Sequence, residues 1–120
     1  MYQRGDIVSV PYPFTDLTQT KIRPALILST DTYNAHRGDI IVAPITGNTS
    51  TGQPDDTSLT DWAEARLLKP SVVKGILGTV EQTLVVRILG TLSAADLQKV
   101  EQAFARALGL AISQLKLPAV

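Results

Sequence analysis

The sequence predicts a mainly β protein: a small, partly open antiparallel β-barrel with one C-terminal α-helix. Short apolar runs are separated by glycine and proline, which is typical of strands joined by turns. These runs follow one another without helical segments between them, so a parallel βαβ arrangement is not favoured. A clear amphipathic helix comes late, at about 93–108. The length of 120 residues favours one domain covering 1–120.

Three strands are predicted in the first half of the chain. The first covers 5–13 and ends at prolines. The second, 24–29, is nearly continuously apolar and is expected to be central and buried on both faces. The third covers 39–45, and Pro44 near its end suggests an edge or a bulge. The polar segment 15–21 between the first two strands is expected to be a loop.

Turns and shorter elements fill much of the remainder. Residues 31–38 are predicted to form a turn, and residues 47–56 a polar surface loop. Shorter elements are expected near Ser58, at 63–68 and at 72–80. The segment EQTLVVRIL, 81–89, is interpreted as a turn or a short helix.

The C-terminal helix has sequence signals at both ends. Ser93 is a favourable N-cap, Asp96 is placed to interact with the helix dipole, and Gly109 is a typical stop. The apolar stripe that is predicted to pack on the core consists of Leu97, Val100, Phe104 and Leu108.

Composition limits the classes of function. The formal net charge is zero, so a basic nucleic-acid-binding surface would have to be a local cluster within a neutral chain. The chain has no cysteine and a single histidine, which leaves no thiolate metal site and no visible cluster for zinc. The N-terminus lacks a signal-peptide pattern, and the apolar runs are too short to span a membrane. We expect a cytoplasmic protein.

Two polar residues at strand ends are the strongest site candidates. Arg23 stands at the start of the second strand, and Thr46 directly follows the third. Arg23 is either a solvated arginine, free or paired with Asp16 or Asp39, or a fixed guanidinium that binds phosphate. Thr46 either forms a local hydrogen bond in its loop or positions a phosphate or ribose oxygen.

Other chemistry-bearing residues favour structural interpretations. His36 lies in a turn without an obvious partner, so a solvated surface role is favoured over acid–base chemistry. Trp62 could stack on a base, but a lone tryptophan is more often a core or interface anchor. Asp55 and Asp56 are expected to be a solvated loop pair.

The order and spacing of several strings resemble the MazF/PemK-like toxin family. The strings are GDIVSVPYPF, KIRPALILS, YN, IIVAPIT, LLKPSVVK and RILGTLS, and the resemblance covers about 5–110. It implies an SH3-like, partly open β-barrel with a C-terminal helix, usually a homodimer. It also implies the toxin of a type II toxin–antitoxin module, which inhibits growth by sequence-specific, metal-independent cleavage of single-stranded RNA such as mRNA. No cofactor is implied, and the expected partners are single-stranded RNA and a cognate antitoxin.

The resemblance assigns roles to specific positions. The arginine of the RPA motif and the threonine that ends the APIT strand are the family's principal catalytic positions, here Arg23 and Thr46. The 2′-hydroxyl of RNA would be the nucleophile, giving a 2′,3′-cyclic phosphate or a 3′-phosphate and a 5′-hydroxyl. The loop 15–21 would cover the RNA groove, with Gln19 and Lys21 as candidate substrate contacts.

Two segments depart from the family pattern and leave alternatives open. The loop PFTDLTQT stands where many members carry a Gly-Ser-Glu-Gln type loop, and KGILGTVEQTLVVRILG lacks an Asp-Gln-Ile-Arg-Thr-like run. The first alternative is a non-catalytic protein that inhibits a protein target such as DNA gyrase, as CcdB toxins of similar architecture do. The second is an inert interaction module. A gyrase inhibitor would not need the pair Arg23 and Thr46.

Overall fold

A computed structural model describes residues 1–12, 21–50 and 52–111. The described residues form seven strands, two α-helices and one 3-10 turn. In chain order these are β1 (Asp6–Tyr12), β2 (Lys21–Ile27), α1 (Asp31–His36), β3 (Asp39–Thr46), β4 (Thr57–Ser58), β5 (Val72–Val73), β6 (Gly78–Glu81), the 3-10 turn (Gln82–Leu84), β7 (Arg87–Thr91) and α2 (Ala94–Leu108).

The strands form one antiparallel, half-barrel sheet in the order β4-β5-β3-β2-β1-β7, with β6 also paired to β3. The predicted fold class is therefore confirmed, and the second predicted strand is central, between β1 and β3. β3 is also central, because it pairs with β2 on one side and with β6 and then β5 on the other. Ile7 pairs with Gly90 and Val8 with Ile88, so Leu89 is an extra residue of β7, which bends where it pairs with β1.

Alternating residues of the central strands supply two hydrophobic clusters, which explains why these strands read as continuous apolar runs. Ile7, Leu26 and Ala43 belong to one cluster, together with Val100 of α2. Their neighbours Val8, Ala25 and Val42 belong to the other, against which Tyr2, Leu84 and Val85 pack. Because side chains alternate along a strand, the two clusters lie on opposite faces of the sheet.

Helix α2 has the predicted ends and an anchored first turn. The Ser93 hydroxyl accepts a hydrogen bond from the Asp96 amide (3.1 Å), and Gly109 ends the helix with φ 73°. The fully buried Asp96 carboxylate accepts bonds from the amides of Thr60 (3.1 Å) and Asp61 (2.7 Å), and Lys99 lies 3.1 Å away. Burial raises the pKa of Asp96, but these donors outweigh burial, so its pKa is lowered overall.

The apolar stripe predicted for α2 is wrong at one of its four positions. Val100 is fully buried, and Leu97 and Phe104 pack against the first cluster, but Leu108 is 57% exposed. The remaining buried side chains of the helix are Asp96, Ala103 and Ala105. Alanine adds little to an apolar pattern, so the burial of Ala103 and Ala105 was not visible in the periodicity.

The predicted turn at 31–38 contains a short helix, α1. Thr30 caps it, since its hydroxyl accepts a hydrogen bond from the Tyr33 amide (3.1 Å). The buried Asn34 side chain donates to the carbonyls of Tyr2 and Ser29, both at 3.2 Å. Tertiary hydrogen bonds therefore hold a helix whose sequence lacks an apolar stripe.

Two further elements differ from the prediction. The segment 72–80 forms two short strands, β5 and β6, which pair with different parts of β3. The segment 81–89 begins with the 3-10 turn, but its second part enters β7, which pairs with β1. β7 is an edge strand with Ile88 47% exposed, so its apolar residues do not alternate as in a half-buried strand.

Pro44 does not mark an edge of the sheet. It lies inside β3 at the point where the neighbouring strand changes from β6 to β5. Its carbonyl accepts a hydrogen bond from the Lys74 amide (2.9 Å), while its nitrogen has no hydrogen to donate. A central strand tolerates this proline because pairing is already interrupted there.

Candidate nucleic-acid interface

A cleft of about 940 Å³ opens at the ends of the central strands. It is bounded by β1, β2 and β3, by the segment 66–74, and by β7. Six of the 11 lysine and arginine residues of the chain line it: Lys21, Arg23, Arg66, Lys69, Lys74 and Arg87. Among the described residues, no aspartate or glutamate is part of the lining. The neutral chain therefore concentrates positive charge in one concave surface.

Strand register brings Arg23 and Thr46 to the same place. β2 and β3 are antiparallel, with Ala25 opposite Pro44. Arg23 and Thr46 each lie two residues beyond this last pair, at the mouth of the cleft that both residues line. On the other side of β2, Arg23 pairs with Val10 of β1. The two strongest sequence candidates are thus neighbours in the fold.

The contacts of Arg23 and Thr46 test the structural and the functional interpretation of each residue. Arg23 is exposed and makes no ion pair within the described part of the chain. Asp39 pairs with Arg37 instead (3.4 Å), and Asp16 lies outside the described residues. The Thr46 hydroxyl accepts a local hydrogen bond from the Asn48 amide (3.1 Å), as the structural interpretation predicts. Its own proton is not used in that bond and can be donated into the cleft.

Two lysines of the cleft are placed by packing and by an ion pair. The Lys74 ammonium lies 3.4 Å from the Asp56 carboxylate, which also accepts a bond from the Gly75 amide (2.9 Å). The Asp56 side chain is only 9% exposed, so the prediction of a solvated pair is wrong for this residue. The side chain of Lys69 lies directly over Gly47, where a Cβ would be 2.0 Å from its Cε.

Four of the six cations were missed as site candidates by sequence reasoning: Arg66, Lys69, Lys74 and Arg87. They come from segments far from Arg23 in the sequence and meet it only through the sheet order. The string LLKPSVVK, which contains two of them, was the available signal. Arg66 had no signal in the sequence. Its unusual left-handed backbone is visible only in the structure.

The other candidates have clear positions, with one exception. Lys21 begins β2 opposite Tyr12 and lines the cleft, whereas Gln19 lies outside the described residues. His36 is exposed at the end of α1, away from the cleft lining, with Nδ1 2.8 Å from the Thr32 carbonyl oxygen. Trp62 packs against the first hydrophobic cluster, in agreement with a role as a core anchor.

The described part of the chain has neither a metal-binding cluster nor a membrane-spanning helix. Within 1–12, 21–50 and 52–111, no group of three or more histidine, aspartate or glutamate side chains is arranged to hold a metal ion. In the same residues, neither helix has the length and apolar character needed to cross a bilayer.

The cationic cleft and its strand-end pair can be compared with known proteins. Residues 3–108 match the family model of the PemK-like, MazF-like toxins of type II toxin–antitoxin systems. The chain belongs to this family. The resemblance found in the sequence strings is thereby confirmed over most of the chain's length. A search of curated proteins gives no significant match.

Solved MazF structures share the fold. The Mycobacterium tuberculosis toxin MazF-mt6 superimposes with a TM-score of 0.73 at 27% identity, over 88% of this chain and 98% of that one. A mycobacterial endoribonuclease in complex with its cognate antitoxin gives 0.76 at 24%, over 92% and 98%. The Deinococcus radiodurans MazE–MazF complex gives 0.74 at 23%, over 92% and 97%. The half-barrel with its C-terminal helix is the architecture of MazF toxins.

Proposed function

We propose that this MazF-family protein is a metal-independent, sequence-specific endoribonuclease that cleaves single-stranded RNA and so inhibits growth. One observation carries the proposal: Arg23 and Thr46 line the mouth of one cleft, which has six cations and, among the described residues, no carboxylate in its lining. A polyanion with a regularly charged backbone fits such a surface. A structurally similar mycobacterial protein, solved in complex with its cognate antitoxin, is an endoribonuclease.

The reaction in this proposal uses a nucleophile that RNA itself supplies. The 2′-hydroxyl loses its proton and attacks the adjacent phosphorus, the bond to the 5′-oxygen breaks, and that oxygen takes up a proton. The products are a 2′,3′-cyclic phosphate, which can open to a 3′-phosphate, and a 5′-hydroxyl. The Arg23 guanidinium would bind the non-bridging oxygens as negative charge develops on them. The Thr46 hydroxyl would donate to the same phosphate and fix its orientation.

The remaining cleft residues would hold the RNA strand. Lys21 would contact backbone phosphate beside Arg23, and we retain Gln19 as a substrate contact proposed from the sequence. A cognate antitoxin would inhibit the enzyme by placing an acidic or amphipathic segment in the same cleft. A related mycobacterial toxin was solved with its cognate antitoxin, and a Deinococcus toxin was solved as a MazE–MazF complex. We also propose that the protein forms a homodimer, as the resemblance to MazF-like toxins implies.

The test is cleavage of a long single-stranded RNA in EDTA, followed by mapping of the new ends. The wild-type protein is expected to cut at one short sequence and to leave 5′-hydroxyl ends. Arg23→Ala should lose the activity while keeping the wild-type unfolding temperature. Arg106→Gln is the matched control, because Arg106 is an exposed cation on α2, away from the cleft lining, and should cut normally.

Two results would contradict the proposal. The absence of cuts in several RNAs treated with folded wild-type protein would favour inhibition of a protein target, and a gyrase supercoiling assay would follow. Cleavage that requires added metal would refute the metal-independent mechanism.

A further inference from the structure

Arg66 has a backbone conformation that arginine rarely adopts. Its φ is 68°, and it is the single non-glycine residue with positive φ in the described part of the chain. In this region the Cβ of an L-residue approaches the following carbonyl oxygen, so glycine is strongly favoured.

The hydrogen bonds around Arg66 show why the backbone needs this conformation. The Arg66 amide donates to the Ala63 carbonyl (3.0 Å), and the Leu67 amide donates to the Trp62 carbonyl (3.0 Å). This pair of bonds is the pattern of a Schellman turn, in which the second-to-last residue must be left-handed. Arg66 therefore occupies a position at which glycine is the ordinary residue.

The turn is held from several sides and cannot relax. The Ser93 hydroxyl donates to the Asp61 carboxylate (2.7 Å), which ties the start of the turn to α2. Ala65 is fully buried, and Gly90 of β7 lies so close that a Cβ there would be 2.1 Å from the Ala65 carbonyl oxygen. These contacts favour the left-handed conformation at residue 66.

The described residues offer the Arg66 side chain no compensating polar contact. It is exposed, and within the described residues it makes no hydrogen bond or ion pair. Glu64 and Arg66 both line a second cavity of about 400 Å³, but they do not form an ion pair. On its other side Arg66 faces the main cleft, which Arg23, Lys69 and Arg87 also line. A glycine would satisfy the turn, yet a strained cation is present.

We propose that Arg66 is a substrate-binding residue of the cleft, which contacts a backbone phosphate of single-stranded RNA. The inference rests on the proposed function in its choice of RNA as ligand. The guanidinium is permanently charged, planar and suited to paired hydrogen bonds with phosphate oxygens. Its anchored turn presents this group in the cleft that the strand-end pair also lines. Arg66 would add a phosphate contact to those of Arg23 and Lys21.

The experiment measures RNA binding without cleavage. It also distinguishes the effect of the Arg66 backbone strain from the effect of the Arg66 charge. Binding of a labelled, mixed-sequence, single-stranded 2′-fluoro RNA is measured over a range of salt concentrations. This RNA lacks the 2′-hydroxyl nucleophile, so binding is observed without cleavage. Thermal unfolding of each variant is measured in parallel. The variants are Arg66→Gly, Arg66→Lys and the charge-matched control Arg106→Gln.

Arg66→Gly should weaken RNA binding and raise the stability of the protein. Its dissociation constant should rise about fivefold at low salt, and its log–log salt slope should become shallower by about 0.7, the value for one phosphate contact on a single strand. Its unfolding temperature should rise by about 3 °C, because glycine relieves the backbone strain. Arg66→Lys should keep the salt slope, and Arg106→Gln should leave both binding measurements unchanged.

Several outcomes would overturn the inference. Wild-type affinity and salt slope in Arg66→Gly would leave Arg66 without a ligand contact, and a lower unfolding temperature would refute the strain. A wild-type protein that does not bind the 2′-fluoro RNA would overturn it as well. A wild-type protein that binds this RNA but cuts no natural RNA would refute only the proposed function, and a reduced slope in Arg66→Gly would still support the contact.

Discussion

Thr46 combines a local and a candidate substrate role in one hydroxyl group. Its oxygen accepts the Asn48 amide hydrogen (3.1 Å), which stabilises the start of the loop after β3. The same hydroxyl has a proton that can be donated to a phosphate oxygen. The two interpretations derived from the sequence are therefore compatible, since one uses the oxygen lone pair and the other uses the hydrogen.

Replacing Thr46 tests the hydroxyl with little change in shape. Thr46→Val keeps the β-branched side chain but removes the donor and acceptor, so RNA cleavage should slow by roughly 100-fold. The free energy of unfolding should fall by only about 1 kcal/mol, because one partly exposed hydrogen bond is lost. Cleavage kinetics and urea unfolding measure the two effects.

The matched variant for this position is Thr46→Ser, which retains the hydroxyl. It should cleave within a few-fold of the wild-type rate. Equal rates for the valine and serine variants would contradict a role of the hydroxyl in cleavage.

At the scale of elements, β7 fixes the outer wall of the cleft. It pairs with β1 through Val8 and Ser9, and it contributes Arg87 to the lining. Gly90 allows β7 to lie against the turn that contains Arg66, since its missing side chain leaves room for the Ala65 carbonyl. This close backbone contact joins the two segments that carry Arg66 and Arg87, which are far apart in the sequence.

A methyl group at residue 90 should disrupt that contact. Gly90→Ala would place a Cβ 2.1 Å from the Ala65 carbonyl oxygen, so the strand or the turn must shift. We expect the free energy of unfolding to fall by about 2 kcal/mol, as for other overpacked sites. Thermal and urea unfolding measure this change.

The control substitution is Gly38→Ala, where a new Cβ would meet no atom within 4 Å. This variant should be as stable as the wild type, within about 0.5 kcal/mol. Similar losses in both variants would show that the β7 contact is not the cause.

At the scale of the whole molecule, Asp96 connects helix α2 to the segment before the Arg66 turn. Its carboxylate accepts the amides of Thr60 and Asp61 and lies 3.1 Å from the Lys99 ammonium. These donors favour the ionised form in the folded protein and lower its pKa below the ordinary value of 3.8. The unfolded chain therefore binds a proton at Asp96 more readily than the folded protein does.

Because the pKa of Asp96 is lower in the folded protein than in the unfolded chain, the stability of the protein depends on pH. The contribution of ionised Asp96 is fully present above about pH 5 and is lost as the pH falls through the lowered pKa of the folded state. Asp96→Asn should lower the free energy of unfolding by about 2 kcal/mol at pH 7, with a smaller difference from wild type near pH 3. Urea midpoints across this pH range measure the difference.

Asp55→Asn, the same chemical change in a surface loop, is the control and should leave the pH profile close to that of the wild type. A difference between Asp96→Asn and wild type that stays constant with pH would contradict the assigned pKa shift.

Local sequence pattern determined much of this fold. The apolar runs located β1, β2 and β3, because a strand buried on both faces requires apolar residues at consecutive positions. Ser93 and Gly109 located the ends of α2, because caps satisfy backbone groups within a few residues. Arg23 and Thr46 were identifiable as candidates because each stands where an apolar strand meets a polar loop.

Only the tertiary structure decided how the cleft is assembled. Strand order brought Lys74 and Arg87 into the same cleft as Arg23, and no local pattern encodes the assembly of such distant segments. Helix α1 and strand β7 were missed because tertiary hydrogen bonds and backbone pairing stabilise them, rather than apolar periodicity. The left-handed turn at Arg66 arises from the packing of β7 and α2 around it. A neutral sequence therefore produced a cationic cleft through long-range packing.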